Sequence, residues 1–237
     1  TPSESADATW RLAQIAELQG RRADALAGCE ALAGELAEGA RALGVWWAAR
    51  RMRTRLWLQG GTPIPEVRAA CQALHAEARA AGAADEAAWL LVMLSDAESR
   101  LGNARDAERL AREAVAEAER LPDLALHAAA VMRLGTTVLD APTGGAGAGA
   151  HAGTPADAVP HFRRALELYT RAGDRQGQLR AHGYIGIACD RAGNHAAAEV
   201  AYGTALAIGR EIGARLLVGV ASSNLGVLLL KTGRFPE

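Results

Sequence analysis

A glycine that closes a helical run recurs along this chain at a nearly constant interval. Gly20, Gly60, Gly102, Gly193 and Gly233 end the segments Leu18-Gln19, Leu58-Gln59, Arg100-Leu101, Arg191-Ala192 and Lys231-Thr232, at spacings of 40, 42, 91 and 40 residues. The long interval is two periods plus some eleven residues, and a Gly/Ala-rich stretch of that size lies at 141–155. A fixed period of this size means one supersecondary unit repeated, each copy needing its neighbours to bury a continuous core.

The residues around each glycine show what the unit is. Glycine suits the left-handed residue just past a helix end. Five residues later stands a small side chain, Ala25, Ala107 or Ala198, where a second helix can approach the first. Cys29, Ala111 and Tyr202 follow four residues on, then Leu32, Ala114 and Ala205 after three more. That is an i, i+4, i+7 stripe facing a partner helix. In the preceding helix Leu12, Met52, Leu94, Leu134, Ile185 and Leu225 recur seven or eight residues before the turn, and Ala13, Ser95, Gly135, Gly186 and Gly226 follow five of them. The unit is a helical hairpin. Composition agrees: the chain is 50% hydrophobic and 4% aromatic. About a quarter of it is alanine, which favours helix over strand.

This pattern resembles the tetratricopeptide repeat family. The best-matching unit is Tyr184-Ile185-Gly186, then Gly193-Asn194, Ala198, Tyr202 and Ala205-Leu206; next is Leu134-Gly135 with Ala158, Phe162, Ala165 and Leu166, split by the insertion. The first two units match weakly, with Arg53 where a small residue belongs. A period near 40, against the family's usual 34, makes the helices about a turn longer and is similar to the long-helix subgroup of bacterial signalling and transcriptional regulators. The resemblance implies an all-α, right-handed solenoid of stacked antiparallel hairpins, about five and a half repeats in one domain over 1–237. The repeats fall at about 5–42, 43–82, 83–122, 123–173 (with a flexible insert at 141–155), 174–213 and 214–237. This predicts eleven helices, the last one unpaired and too apolar to end a solenoid. Arg234-Phe235-Pro236-Glu237 then reads as the start of a further helix, and the chain as a fragment of a longer protein.

Several chemistries find no support. The glycine-rich stretch 143–153 has no preceding strand and no following Lys-Ser/Thr, so it is not a nucleotide loop. His75, His127, His151, His161, His182 and His195 form no zinc spacing, and Cys29, Cys71 and Cys189 suggest buried, inert thiols in a reducing, cytoplasmic setting. Glu113, Glu117, Glu119 and Asp123 interleave with Arg109, Arg112 and Arg120 as a charge-paired face. A net charge of −1 gives no bulk attraction to nucleic acid or membrane. No catalytic residues, metal or cofactor are expected.

What remains is a surface. In tetratricopeptide proteins the residue just before the recurring Leu commonly reads a ligand, and here that column is Arg11, Arg51, Met93, Arg133, Tyr184 and Asn224. One turn away lie Trp47, Arg50, Trp57 and Trp89, while Trp10 and Trp46 read as core fillers. Aromatic anchors beside arginine are the composition of binding hot spots. The reading is a non-enzymatic scaffold that takes a protein or peptide segment, with an acidic one favoured by the arginines, as the sensor or partner-binding arm of a larger bacterial signalling or regulatory protein. The alternative is a small-molecule effector-sensing domain of a transcriptional regulator. Self-association through the apolar last helix is a further expectation.

Overall fold

The computed structural model describes residues 1–141 and 154–234. The described residues form twelve helices and no strand. They divide into two compact units, Thr1–Gly102 and Asn103–Glu237. The first holds α1 (Pro2–Leu18), α2 (Arg22–Ala33), α3 (Ala37–Ala42), α4 (Trp46–Gln59), α5 (Ile64–Ala80) and α6 (Ala84–Arg100). The second holds α7 (Ala104–Ala118), α8 (Leu124–Leu139), α9 (Pro155–Ala172), α10 (Arg175–Arg191), α11 (His195–Glu211) and α12 (Arg215–Lys231).

Glycine turns do what the spacing requires. At the end of α10, Asn194 N–H donates to the Cys189 carbonyl at 2.8 Å and Gly193 N–H to the Asp190 carbonyl at 3.0 Å. Gly193 sits at φ 80. These two bonds satisfy orphan carbonyls and reverse the chain within three residues. The next helix then begins on a polar cap: the Asn194 side chain accepts from Ala197 N–H at 3.2 Å, and the Asp174 side chain from Gly177 N–H at 2.7 Å.

Two local expectations need correcting. The residue with positive φ after α4 is Gly61 (φ 87), not Gly60. Gly60 is glycine for another reason: a Cβ there would stand 1.1 Å from Nη2 of Arg22, which crosses the turn to donate to the Leu56 carbonyl at 2.6 Å. The twelfth helix is α3, which exists because Gly39 lets its backbone press on α1; a Cβ on Gly39 would lie 2.4 Å from the Pro2 carbonyl oxygen.

The stripes read from the sequence are buried. Ala25, Cys29, Leu32, Ala107, Ala111, Ala114, Ala198 and Ala205 have no exposed surface. In the preceding helices Met52, Leu94 and Ile185 are buried, whereas Leu12 is 63% exposed, so that position does not face the core in the first hairpin. In the first unit, Ala13, Ala16, Ala25, Cys29, Met52 and Leu56 form one core cluster, with Trp10 packed on it. Trp10 and Trp46 both pack against a second cluster, Ala6, Leu32, Ala40 and Ala49.

The second unit is held by aromatic rings lodged on glycines. A Cβ at Gly135 would stand 2.7 Å from the Phe162 ring, one at Gly186 2.4 Å from the Tyr202 ring, and one at Gly177 2.2 Å from the Tyr169 ring. All three rings are 2% exposed or less. The glycine and the ring are therefore one packing element, and neither can change size alone. The insertion and the C-terminal residues 235–237 lie outside the described residues, except that Thr154 and Asp157 make the capping box that starts α9.

Candidate protein-binding face

One face of α4 gathers arginine and tryptophan. Trp46, Arg50, Arg53 and Trp57 are spaced four, three and four residues apart, which aligns them on an α-helix. The Arg50 guanidinium lies 4.3 Å from the Trp46 ring centre and 5.5 Å from that of Trp47. Arg41 from α3 lies 4.5 Å from Trp46, and Arg53 4.7 Å from Trp57. Trp46 and Trp47 meet edge to face at 4.8 Å. Each such cation–π contact is worth about 0.5–1 kcal/mol at an exposed site and more when desolvated.

Carboxylates from the neighbouring helices complete the arrangement. Arg50 donates from both terminal nitrogens to Glu77 of α5, at 2.7 Å each. Arg51, on the adjoining face, donates to Glu86 of α6 at 2.9 Å and lies 4.6 Å from the Trp89 ring centre. The hydrogen bond from Arg50, assisted by its charge and that of Arg41, holds the Glu77 carboxyl below its ordinary value against a small burial effect. Burial and then the like charge of Arg50 pull the Arg53 guanidinium below its own. Planar guanidinium stacked on indole and forked onto carboxylate is an orientation that lysine cannot reproduce.

Thus Trp47, Arg50, Arg51, Trp57 and Trp89 of the sequence reading occur in one unit, on α4 and α6, in direct Arg–Trp pairs. Arg11 is exposed on α1 and pairs with Asp7 at 2.9 Å. Met93 is buried. In the second unit, Arg133 and Asn224 are half-buried on α8 and α12, and Tyr184 of α10 stacks on Phe162 at 5.3 Å. Trp46 packs on the core as the sequence reading expects and also lies under Arg41 and Arg50; Arg41, Arg53, Glu77 and Glu86 join the face without being named in that reading. The spacing Trp46-x-x-x-Arg50-x-x-Arg53-x-x-x-Trp57 is the signal in the sequence for this face; Arg53 departs from the repeat pattern and belongs to that spacing.

Cys29, Cys71 and Cys189 are buried free thiols; burial pushes Cys29 and Cys71 up to about 12, and Cys189 upward. Burial lowers His127, His161 and His182, and among the described residues no group of three His, Cys, Asp or Glu side chains is placed to hold a metal. On α7, Arg109 pairs with Asp106 at 3.1 Å and Arg112 with Glu108 at 2.6 Å. Asp123 is not part of that face: it caps α8, accepting from Ala125 and Leu126 N–H groups. Among the described residues, no helix is long and apolar enough to cross a membrane.

Comparison with known proteins places this architecture. Residues 146–211 match the tetratricopeptide repeat family. No curated protein matches the chain in sequence. Among solved structures, BtubC (BKLC) from P. vanneervenii superposes with a TM-score of 0.60 at 15% identity, covering 96% of this chain and 85% of that one. The nearly identical TPR-like repeats of a kinesin light chain candidate from Podosopora anserina give 0.50 at 16% identity, over 91% of this chain and 98% of that one. A variant of the same repeats gives 0.50 at 15%, over 89% and 96%. At these identities the likeness speaks to fold, and it agrees with the glycine turns, the small-residue stripes and the ring-on-glycine packing: the chain has a tetratricopeptide-like helical repeat fold, and its residues 146–211 match the tetratricopeptide repeat family.

Proposed function

We propose that this chain is a non-enzymatic protein-binding scaffold whose recognition face is the Arg–Trp surface of α4 and α6, and that its partner is an acidic protein segment. Tetratricopeptide repeats are in general protein-interaction scaffolds, and residues 146–211 match that family. The observation that carries the proposal is the bidentate Arg50–Glu77 pair beside Trp47. Glu77 is 47% exposed, so an incoming carboxylate can take over the fork that Glu77 now fills while the indoles supply apolar area. The longer-range reading is that the scaffold is the sensor or partner-binding arm of a larger bacterial signalling or regulatory protein in the cytoplasm. Arg133, Tyr184 and Asn224 are proposed as a second set of polar contacts, on the other unit.

The test is an array of 15-residue peptides of acidic, neutral and basic composition. The wild-type chain is expected to retain acidic peptides. Trp47→Ala and Arg50→Ala should each weaken that binding roughly tenfold or more without changing the helical circular dichroism, and Glu77→Gln should strengthen it by removing the internal competitor. Acidic peptides that bind all three variants like wild type would refute the proposal.

A further inference from the structure

Five arginines and no carboxylate stand between Glu38 and Glu66: Arg41, Arg50, Arg51, Arg53 and Arg55. Countercharge must therefore reach α4 from other helices, and three of its arginines receive it. Glu17 of α1 pairs with Arg55, Glu77 of α5 with Arg50 and Glu86 of α6 with Arg51. Among the described residues, no carboxylate comes within ion-pairing distance of Arg41 or Arg53; each lies against an indole instead, 4.5 Å from Trp46 and 4.7 Å from Trp57. Glu30 acts on Arg53 only through its longer-range field, and the Arg53 Nε is buried without an acceptor. Arg41 is exposed near the end of α3 and shares the Trp46 ring with Arg50.

Glu77 shows how far a carboxylate goes at this spot. Its two oxygens accept from the two terminal nitrogens of Arg50, at 2.7 Å each, and neither accepts from Arg41. Yet Arg41 stands close enough to add its charge to that of Arg50 at Glu77. A phosphate monoester differs in both respects that count here. It carries about −1.5 to −2 charge at neutral pH and three strong acceptor oxygens. It can therefore fill the Arg50 fork and still present an oxygen to Arg41. Nucleic acid also offers phosphate, but as a closely spaced run of anions. Residues 1–102 carry 13 acidic side chains against 11 basic ones, with Glu77 and Glu86 beside the arginines, so one isolated phosphate is matched where a string of them would meet carboxylates.

We infer that Arg41 and Arg50, on the shared Trp46 ring, form a phosphate site, and that the acidic segment taken by the Arg–Trp surface is a phosphorylated one whose phosphoserine or phosphothreonine displaces Glu77 from Arg50 and bridges to Arg41. The inference rests on that surface being the recognition face. It gives Arg41 the separate task of telling phosphate from carboxylate.

The probes are the 15-residue acidic peptides, fluorescein-labelled and made in three forms with Ser, Glu or phosphoserine at the central position, titrated with the chain and read by anisotropy. The phosphoserine form is expected to bind roughly tenfold or more tightly than the Glu form. Arg41→Ala should abolish that difference while leaving the Glu form as it was, and Arg50→Ala should weaken both. Because Arg41 is exposed, Arg41→Ala is expected to leave the unfolding temperature nearly unchanged, which separates a lost phosphate contact from a lost fold. Phosphoserine and Glu forms that bind alike, or a phosphoserine preference that survives Arg41→Ala, would overturn the inference and leave the acidic-segment reading standing. Absence of binding by all three forms up to millimolar peptide would overturn both. A labelled 15-residue oligothymidylate that binds as tightly as the phosphopeptide and weakens equally in Arg41→Ala would assign the pair to nucleic acid and overturn the inference as well.

Discussion

The two units divide the aromatic residues between them without overlap. All five tryptophans lie before residue 103, and all three tyrosines and both phenylalanines lie after it. In the second unit, Phe162, Tyr169 and Tyr202 are knobs, set against glycines that leave room for them. In the first, Trp46, Trp57 and Trp89 are platforms under guanidinium groups, half-buried and edged by carboxylates. The second unit therefore seats three rings on glycines, whereas the first packs Trp10 and one side of Trp46 on its core and sets Trp46, Trp57 and Trp89 against guanidinium groups. The family match, at residues 146–211, falls wholly in the unit whose rings pack.

The largest effect that would sharpen this contrast is Tyr202→Ala. Removing a ring lodged on Gly186 leaves a cavity that alanine cannot fill, at a cost of about 3–5 kcal/mol. Hydrogen exchange should report the loss in α10 and α11 while α1 and α2 keep their protection. Next comes Gly186→Ala, which adds a Cβ 2.4 Å from the Tyr202 ring. Overpacking of this kind costs about 1–3 kcal/mol. Gly226→Ala, in open space, should instead gain about 0.5–1 kcal/mol from helix propensity. Opposite signs at two glycines of equivalent register would be measured by thermal unfolding; equal signs would break the distinction between a glycine that seats a ring and one that does not.

Smaller effects are expected at the platforms. Arg50→Ala should change stability by no more than about 1 kcal/mol, because its partner Glu77 is half-exposed and solvent screens the pair, yet it should lose peptide binding. Glu77 makes the least change. Its folded carboxyl is held below its unfolded value, so its contribution is present above the unfolded pKa and disappears as pH falls through the folded one. The acid-side loss of stability in the first unit should therefore be shallower in Glu77→Gln, by well under about 1 kcal/mol.

Much of the fold could be read from the residues because its determinants are short-range. A glycine at a helix end and a small residue five positions later act within one hairpin, and Ala25, Ala107 and Ala198 are all buried as their spacing implied. Gly60 was harder, since its reason is Arg22, 38 residues away in sequence. α3 was invisible for the same cause: it depends on Gly39 meeting Pro2 across the unit. The candidate face was half legible. The arginines and tryptophans of α4 share a helix, so their periodicity announces them, whereas Glu77 and Glu86 arrive from α5 and α6 and carry no local mark.

The most direct test uses the fact that every tryptophan belongs to the first unit, so indole emission reports on that unit alone. An acidic peptide that binds, as followed by its own label, should shift the tryptophan emission of the chain, and Trp47→Phe or Arg50→Ala should remove both the shift and the binding. An acidic peptide that binds with full affinity while the tryptophan emission stays unchanged would place recognition elsewhere and contradict the account.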